Sequence, residues 1–205
     1  MFLIRRLTIA FLASCALTLI LSGLFSLFED EKEAYDNRGI ISFATNFGTE
    51  IYAHAEFINK LVLNKKINPK TKVRIFLDPY LIVGRGILIS DPPNYYVFLD
   101  MSFYLSLNQD ERKALVAHEI GHMVYEYSFL DKFEIRILYE LGIFNKQRNE
   151  IITKYQVLAD RFSAENSSPE AMISLLNKLY VTRIDNSDYK TRLESLKKPK
   201  QGQVP

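Results

Sequence analysis

The stretch "ALVAHEIGHMVYEYSF", residues 114 to 129, constrains this chain more than any other. Leu115, Val116, Ile120 and Met123 surround two histidines and a glutamate, so a helix here is apolar almost all round. A helix of that kind belongs in the interior of a domain. It takes His118, Glu119 and His122 inside with it, and burying those groups carries a large desolvation cost unless something compensates them. On a helix His118 and His122 stand about 40° apart, so both imidazoles leave one face at a distance that one Zn²⁺ ion can bridge. Glu119 stands about 100° from His118 and about 60° from His122, beside such an ion rather than on it. A carboxylate there can accept a proton from a water that zinc has acidified and return it to a leaving amine. Gly121 faces away from that side and leaves room for a neighbouring backbone, although glycine in a helix interior costs about 1 kcal/mol relative to alanine. The same five residues also arise by chance, so the rest of the chain has to decide what they mean.

At 205 residues the chain supports one domain with a proper core plus an accessory segment, and is too short for two ordinary domains. Its 26 basic and 24 acidic residues leave a formal charge of +2, with no basic stripe interleaved with aromatics. That balance excludes nucleic acid as a partner. Cys15 is the only cysteine, so any metal in the folded part is held by nitrogen and oxygen.

Arg5 and Arg6 precede an uncharged run of 22 residues from Leu7 to Phe28. As a helix that run covers roughly 33 Å, enough for a bilayer core. A signal peptide is the rival, but its apolar region is shorter; "LASC" at residues 12 to 15 also resembles a lipoprotein cleavage box, though more uncharged residues follow where a polar tether belongs. Length favours the membrane anchor. The arginine pair before it and the acidic "EDEKE" after it place the N-terminus in the cytoplasm and the domain on the periplasmic or extracellular side.

The chain therefore divides into an anchor or signal segment over residues 1–30, a folded domain over 31–198 and a polar tail over 199–205. From Lys32 to about Ile67 the apolar residues fall three and four apart, predicting a helix or two broken near Gly48. "KVRIFLDP", "GILISDPP" and "YYVFLDMSFY" predict two or three strands. A helix from about Gln109 to Phe129 follows, with Asn108 or Ser106 as its cap. Further helices are expected at about Lys132–Leu141, Lys146–Ala164, Pro169–Val181 and Ser187–Leu196. The fold class is mainly helical α+β with a small sheet near the histidine helix, behind one transmembrane helix. His54, the only other histidine, has no partner at ligand spacing and reads as a surface or satisfied core residue.

A catalytic zinc needs a third protein ligand, commonly a carboxylate on a later helix. "LNQDERKALVAHEIGH" followed by "YQVLADRFSAENSSPEAMISLLNKL" resembles metallopeptidase family forty-eight, the HtpX-type membrane proteases and CAAX prenyl proteases. The resemblance runs from about Asn94 to about Leu196 and implies a zincin-like domain. It implies His118 and His122 as zinc ligands, Glu119 as general base and Asp160 as the aspartate that orients a ligand histidine. At the family's third-ligand glutamate this chain has Gln156, whose carbonyl oxygen can bind zinc but brings no charge. Asp160 is one turn further on the same face, while Glu165 falls opposite and Glu150 about 120° off, so Asp160 is the one substitute this helix offers. The resemblance further implies Arg192, with Asn186 in place of a histidine, facing the site, and "PPNYYVFLD" as an edge strand that pairs with substrate backbone.

Three functions follow from these residues. The first is a membrane-anchored zinc endopeptidase acting on unfolded or misassembled polypeptides. The second is a relative that has lost hydrolysis and binds polypeptides in the same groove, against which the intact Glu119 counts. The third is a membrane-anchored helical protein with a fortuitous motif.

Overall fold

The computed structural model describes residues 48–64, 71–81, 86–91, 93–125, 131–132, 134–135, 145–182 and 188–197, all within one compact unit, Phe47–Pro205. Two strands form its centre because "KVRIFLD" and "NYYVFLD" are near-continuous runs of β-branched and aromatic residues, which suit strands covered on both faces. These are β2 (Lys72–Asp78) and β4 (Asn94–Asp100), paired in parallel with Ile75 opposite Val97 and Leu77 opposite Leu99. Strand β3 (Gly86–Asp91) runs antiparallel to β4, and β1 (Thr49–Ile51) antiparallel to β2, giving the order β1-β2-β4-β3.

Residues 49–51 therefore form a strand where a helix was expected. Their spacing suits a helix, but pairing with β2 wins, and Glu50 is fastened there by Nε and Nη2 of Arg74 at 2.8 and 2.6 Å. Strand β4 lies inside the sheet, not at its edge as the resemblance implied; among the described residues the edge beside it is β3. The expected third strand also stops early. Asp100 accepts hydrogen bonds from the amides of Ser102 and Phe103 at 2.9 and 3.3 Å and so starts helix α2 (Met101–Ser106) where "MSFY" had read as strand.

One face of the sheet, with Ile75, Leu77, Val97 and Leu99, meets the helices. Helix α1 (Ala55–Asn64) adds Ile58, Leu61 and Val62, and α5 (Pro169–Thr182) adds Met172, Leu175, Leu176 and Leu179. Between them lies α3 (Gln109–Val124), in which every residue from Ala114 to Gly121 is buried. Asn108 caps it in a reciprocal box with Glu111, whose carboxylate also accepts from Ser174 Oγ and Lys178 Nζ, each at 2.7 Å. Burial works against ionisation of Glu111, but these donors outweigh it and lower its pKa. Helix α4 (Asn145–Asn166) packs antiparallel along α3, and α6 (Tyr189–Lys197) packs against α4.

Among the described residues no helix is long and apolar enough to cross a membrane. The run from Leu7 to Phe28, the residues after Tyr125 in the histidine stretch, most of the expected helix at Lys132–Leu141, and the tail lie outside the described residues.

The contact between α3 and α4 is close because Gly121 has no side chain. A Cβ there would stand 2.8 Å from the Ala159 Cα and 3.1 Å from its carbonyl oxygen, both backbone atoms of α4. Gly121→Ala should thus destabilise the protein by about 1–3 kcal/mol through overpacking, despite alanine's better helix propensity. Urea unfolding measures this; unchanged stability would mean that the two helices can part freely.

Candidate metal centre

The antiparallel register of α3 and α4 brings four pairs together. Ser163 Oγ donates to the Ala114 carbonyl at 2.7 Å, Asp160 meets His118, Ala159 meets Gly121, and Gln156 meets His122. Each step of about one turn up α4 matches one turn down α3, so the polar side chains sit in a single row along an otherwise apolar contact.

His118 and His122 point their Nε2 atoms at a common place, 3.2 Å apart, with the rings nearly perpendicular at 88°. The Gln156 amide nitrogen stands 3.3 Å from His122 Nε2. Turning that amide over exchanges its oxygen and nitrogen at nearly the same place, so a carbonyl oxygen can face the His122 ring. Glu119 is buried, and its carboxylate lies against β3: a Cβ on Gly86 would fall 2.2 Å from Glu119 Oε1.

Behind the histidines, Asp160 is fully buried and holds His118 from the other side. Its Oδ1 lies 2.9 Å from His118 Nδ1, in a bent contact rather than a linear hydrogen bond. Arg192 on α6 donates to both carboxylate oxygens, Nε to Oδ2 at 2.7 Å and Nη2 to Oδ1 at 2.8 Å, and its Nη1 is 3.5 Å from Asp188 Oδ2. Burial raises the Asp160 pKa, but the Arg192 hydrogen bonds and charge, with His118, outweigh it and bring it down to about 2. Burial likewise opposes the Arg192 charge, and Asp160 and Asp188 overcome it and raise its pKa. For His122, burial first and then the charge of His118 push the pKa down to about 3, so the ring is neutral at ordinary pH. A neutral imidazole is the form that binds a metal.

The test of fit is the nitrogen separation. Two nitrogens on one tetrahedral zinc, each about 2.05 Å from it, lie about 3.3 Å apart. The observed 3.2 Å meets this. The proton count agrees: with a proton on His118 Nδ1 towards Asp160, its Nε2 offers a lone pair to the place His122 also faces. Among the described residues no three His, Cys, Asp or Glu side chains form a metal-holding group, and the third donor available here is the Gln156 amide.

The structure thus gathers His118, Glu119, His122, Gln156 and Asp160. Both Asp160 oxygens are engaged with Arg192 and one with His118, which suits orientation of His118 and not direct ligation. Arg192 is also repositioned. It is 3% exposed and turned onto Asp160, which in turn stands 2.9 Å from His118, so it is no solvated surface arginine. Asn186 lies outside the described residues. His54 is a satisfied core residue, with Nε2 2.7 Å from the Tyr104 hydroxyl. Gly86 is the site residue that the sequence reading passed over; a glycine opening the apolar strand "GILISD" is the signal of close approach that could have found it. No protein-family model, curated protein or solved structure matches the chain.

Asp160→Asn keeps the shape of the side chain but removes the charge opposite a buried guanidinium. It should cost about 3–5 kcal/mol of stability, and pairing it with Arg192→Met should recover part of that loss. Denaturant unfolding of the single and double variants reads the difference. Equal losses would show that Arg192 finds another partner.

Proposed function

We propose that this protein is a zinc-dependent endopeptidase of the metallopeptidase family forty-eight type, anchored in a membrane by its N-terminal segment and cleaving unfolded or misassembled polypeptides. The observation that carries the reading is the approach of His118 Nε2 and the Gln156 amide to 3.2 and 3.3 Å from His122 Nε2, with Glu119 buried alongside. His118, His122 and Gln156 would hold the ion. A bound zinc supplies Lewis acidity, which acidifies water and polarises a carbonyl.

The protein's own groups would do the rest. Glu119 accepts a proton from water and returns it to the departing amine, and its place under Gly86 keeps it from swinging away from the histidines. Asp160, itself held by Arg192, fixes the His118 ring so that Nε2 faces the ion. Among the described residues β3 is the edge of the sheet beside Glu119, and an extended chain laid along it would pair through backbone groups, which asks little of its side chains. This suits unfolded polypeptide as the substrate class. A zincin-like domain, with the edge role on β3, accounts for this placement. The domain on the periplasmic or extracellular face follows from the charges flanking the Leu7–Phe28 run.

One observation favours a second reading. Gln156 removes the charge that usually completes such a site, so a polypeptide-binding module without hydrolysis is the alternative.

Zinc content and hydrolysis separate the two. The purified protein should carry about one zinc per chain, lost in His118→Ala. It should also cleave a denatured protein, and Glu119→Gln should lower that rate by on the order of 10²–10⁴ while the zinc stays. Gly86→Ala, which drives its Cβ into the Glu119 carboxylate, should keep fold and zinc and lose hydrolysis similarly. Zinc bound without any cleavage would leave the binding module; cleavage retained in Glu119→Gln would remove Glu119 as the base.

A further inference from the structure

The charges around this centre do not balance, and the imbalance has a chemical consequence. None of the three side chains that would hold the ion is a carboxylate or a thiolate: they are the His118 and His122 imidazoles and the Gln156 amide. The carboxylate behind them, Asp160, is fully buried and already matched by the two hydrogen bonds from Arg192 at 2.7 and 2.8 Å. Among the described residues Glu119 is the other buried acid here, and it lies beside the ligand face against Gly86. His118 and Glu119 are each 6% exposed, so water screens this place poorly. A divalent ion here keeps most of its charge, and such an ion draws an anion to its open coordination position. Carboxylate oxygen is a suitable zinc donor.

The reaction proposed above makes such an anion. Hydrolysis adds water across the amide bond: the C–N bond breaks, the hydroxyl goes to the carbonyl carbon, and the proton goes by way of Glu119 to the amine. The acyl half of the chain is left ending in a new carboxylate at the reacting position.

We propose that Gln156 makes this centre carboxylate-coupled, so that zinc and a carboxylate-ending polypeptide bind cooperatively and the acid product of cleavage is retained. The proposal rests on the metal reading above. Coupling of this kind is reciprocal: a carboxylate tightens zinc by the factor by which zinc tightens the carboxylate. It also assigns a regulatory role to Gln156, since a carboxylate built into the protein at that position would supply the missing charge itself and leave the product free to depart.

The test measures zinc affinity of the full-length protein by competition with a chromophoric chelator. The additions are acetate, a short peptide with a free C-terminal carboxylate, or the same peptide amidated at that end. We expect at least tenfold tighter zinc with the acid peptide, no change with the amide, and loss of the effect in Gln156→Glu. Acetate separates the two sources of carboxylate. An effect with the acid peptide at concentrations where acetate has none assigns the site to polypeptide ends; equal effects would overturn the peptide part and leave a general anion site. Stoichiometric zinc that neither addition tightens would overturn the coupling while the metal reading stands. Coupling that persists in Gln156→Glu would remove Gln156 as its cause. No zinc under any condition would bring down both. The wild-type measurement decides the main point even if Gln156→Glu fails to fold.

Discussion

Asp160 is where three helices are tied together. It belongs to α4, it accepts two hydrogen bonds from Arg192 of α6, and it stands 2.9 Å from the His118 ring of α3. Burying a carboxylate and a guanidinium together contributes little net stability over a well-packed apolar pair, because desolvation offsets most of the attraction. Its effect is directional. The bidentate pairing fixes the carboxylate plane, that plane fixes which nitrogen of His118 faces inwards, and the remaining Nε2 is left for the place His122 also faces.

That tie works only because α3 and α4 are close. At Gly121 the helices meet backbone to side-chain-free backbone, and one methyl group would stand 2.8 Å from Ala159 Cα. The short polar row of Gln156, Asp160 and Ser163 then reaches its partners on α3 without any long side chain. On the other flank lies β3, the edge strand among the described residues, and Gly86 lets it approach the Glu119 carboxylate in the same way. Two glycines, one on a helix and one on an edge strand, thus set how closely the elements pack on either side of the histidines. The propensity cost of Gly121, about 1 kcal/mol against alanine, is outweighed by the packing it permits.

The sequence was legible where a single local rule decides. The motif helix, its Asn108 cap, the helices after Asn145 and the two central strands all carry strong periodicity or capping signals, and the structure has them with ends shifted by a few residues. Illegible were the features decided by partners far along the chain. Residues 49–51 suit a helix until Arg74 and the edge of β2 claim them. The interior place of β4 follows from the parallel pairing with β2, a register that no short window contains. In the site, angle alone put His118 and His122 on one helix face, whereas Gln156 and Asp160 came from the resemblance, angle adding only that they share a face. What Arg192 touches could not be read, since 32 residues separate it from Asp160 and an exposed arginine is the commoner outcome.

The same geometry bears on why Glu119 is there at all. A carboxylate 6% exposed has lost most of its hydration, a cost that holding unfolded chains through backbone groups alone would not require. Polypeptide pairing along β3 needs only backbone groups, and a glutamine or a leucine at 119 would fill the space under Gly86 at lower desolvation cost. Asp160, the other buried acid of this row, is turned onto Arg192 with both of its oxygens. The function proposed above gives this buried carboxylate a use, as a proton acceptor beside an ion. On that proposal Gln156 would change how strongly an ion is held and not where the base stands, since Glu119 is placed by its own helix and by Gly86.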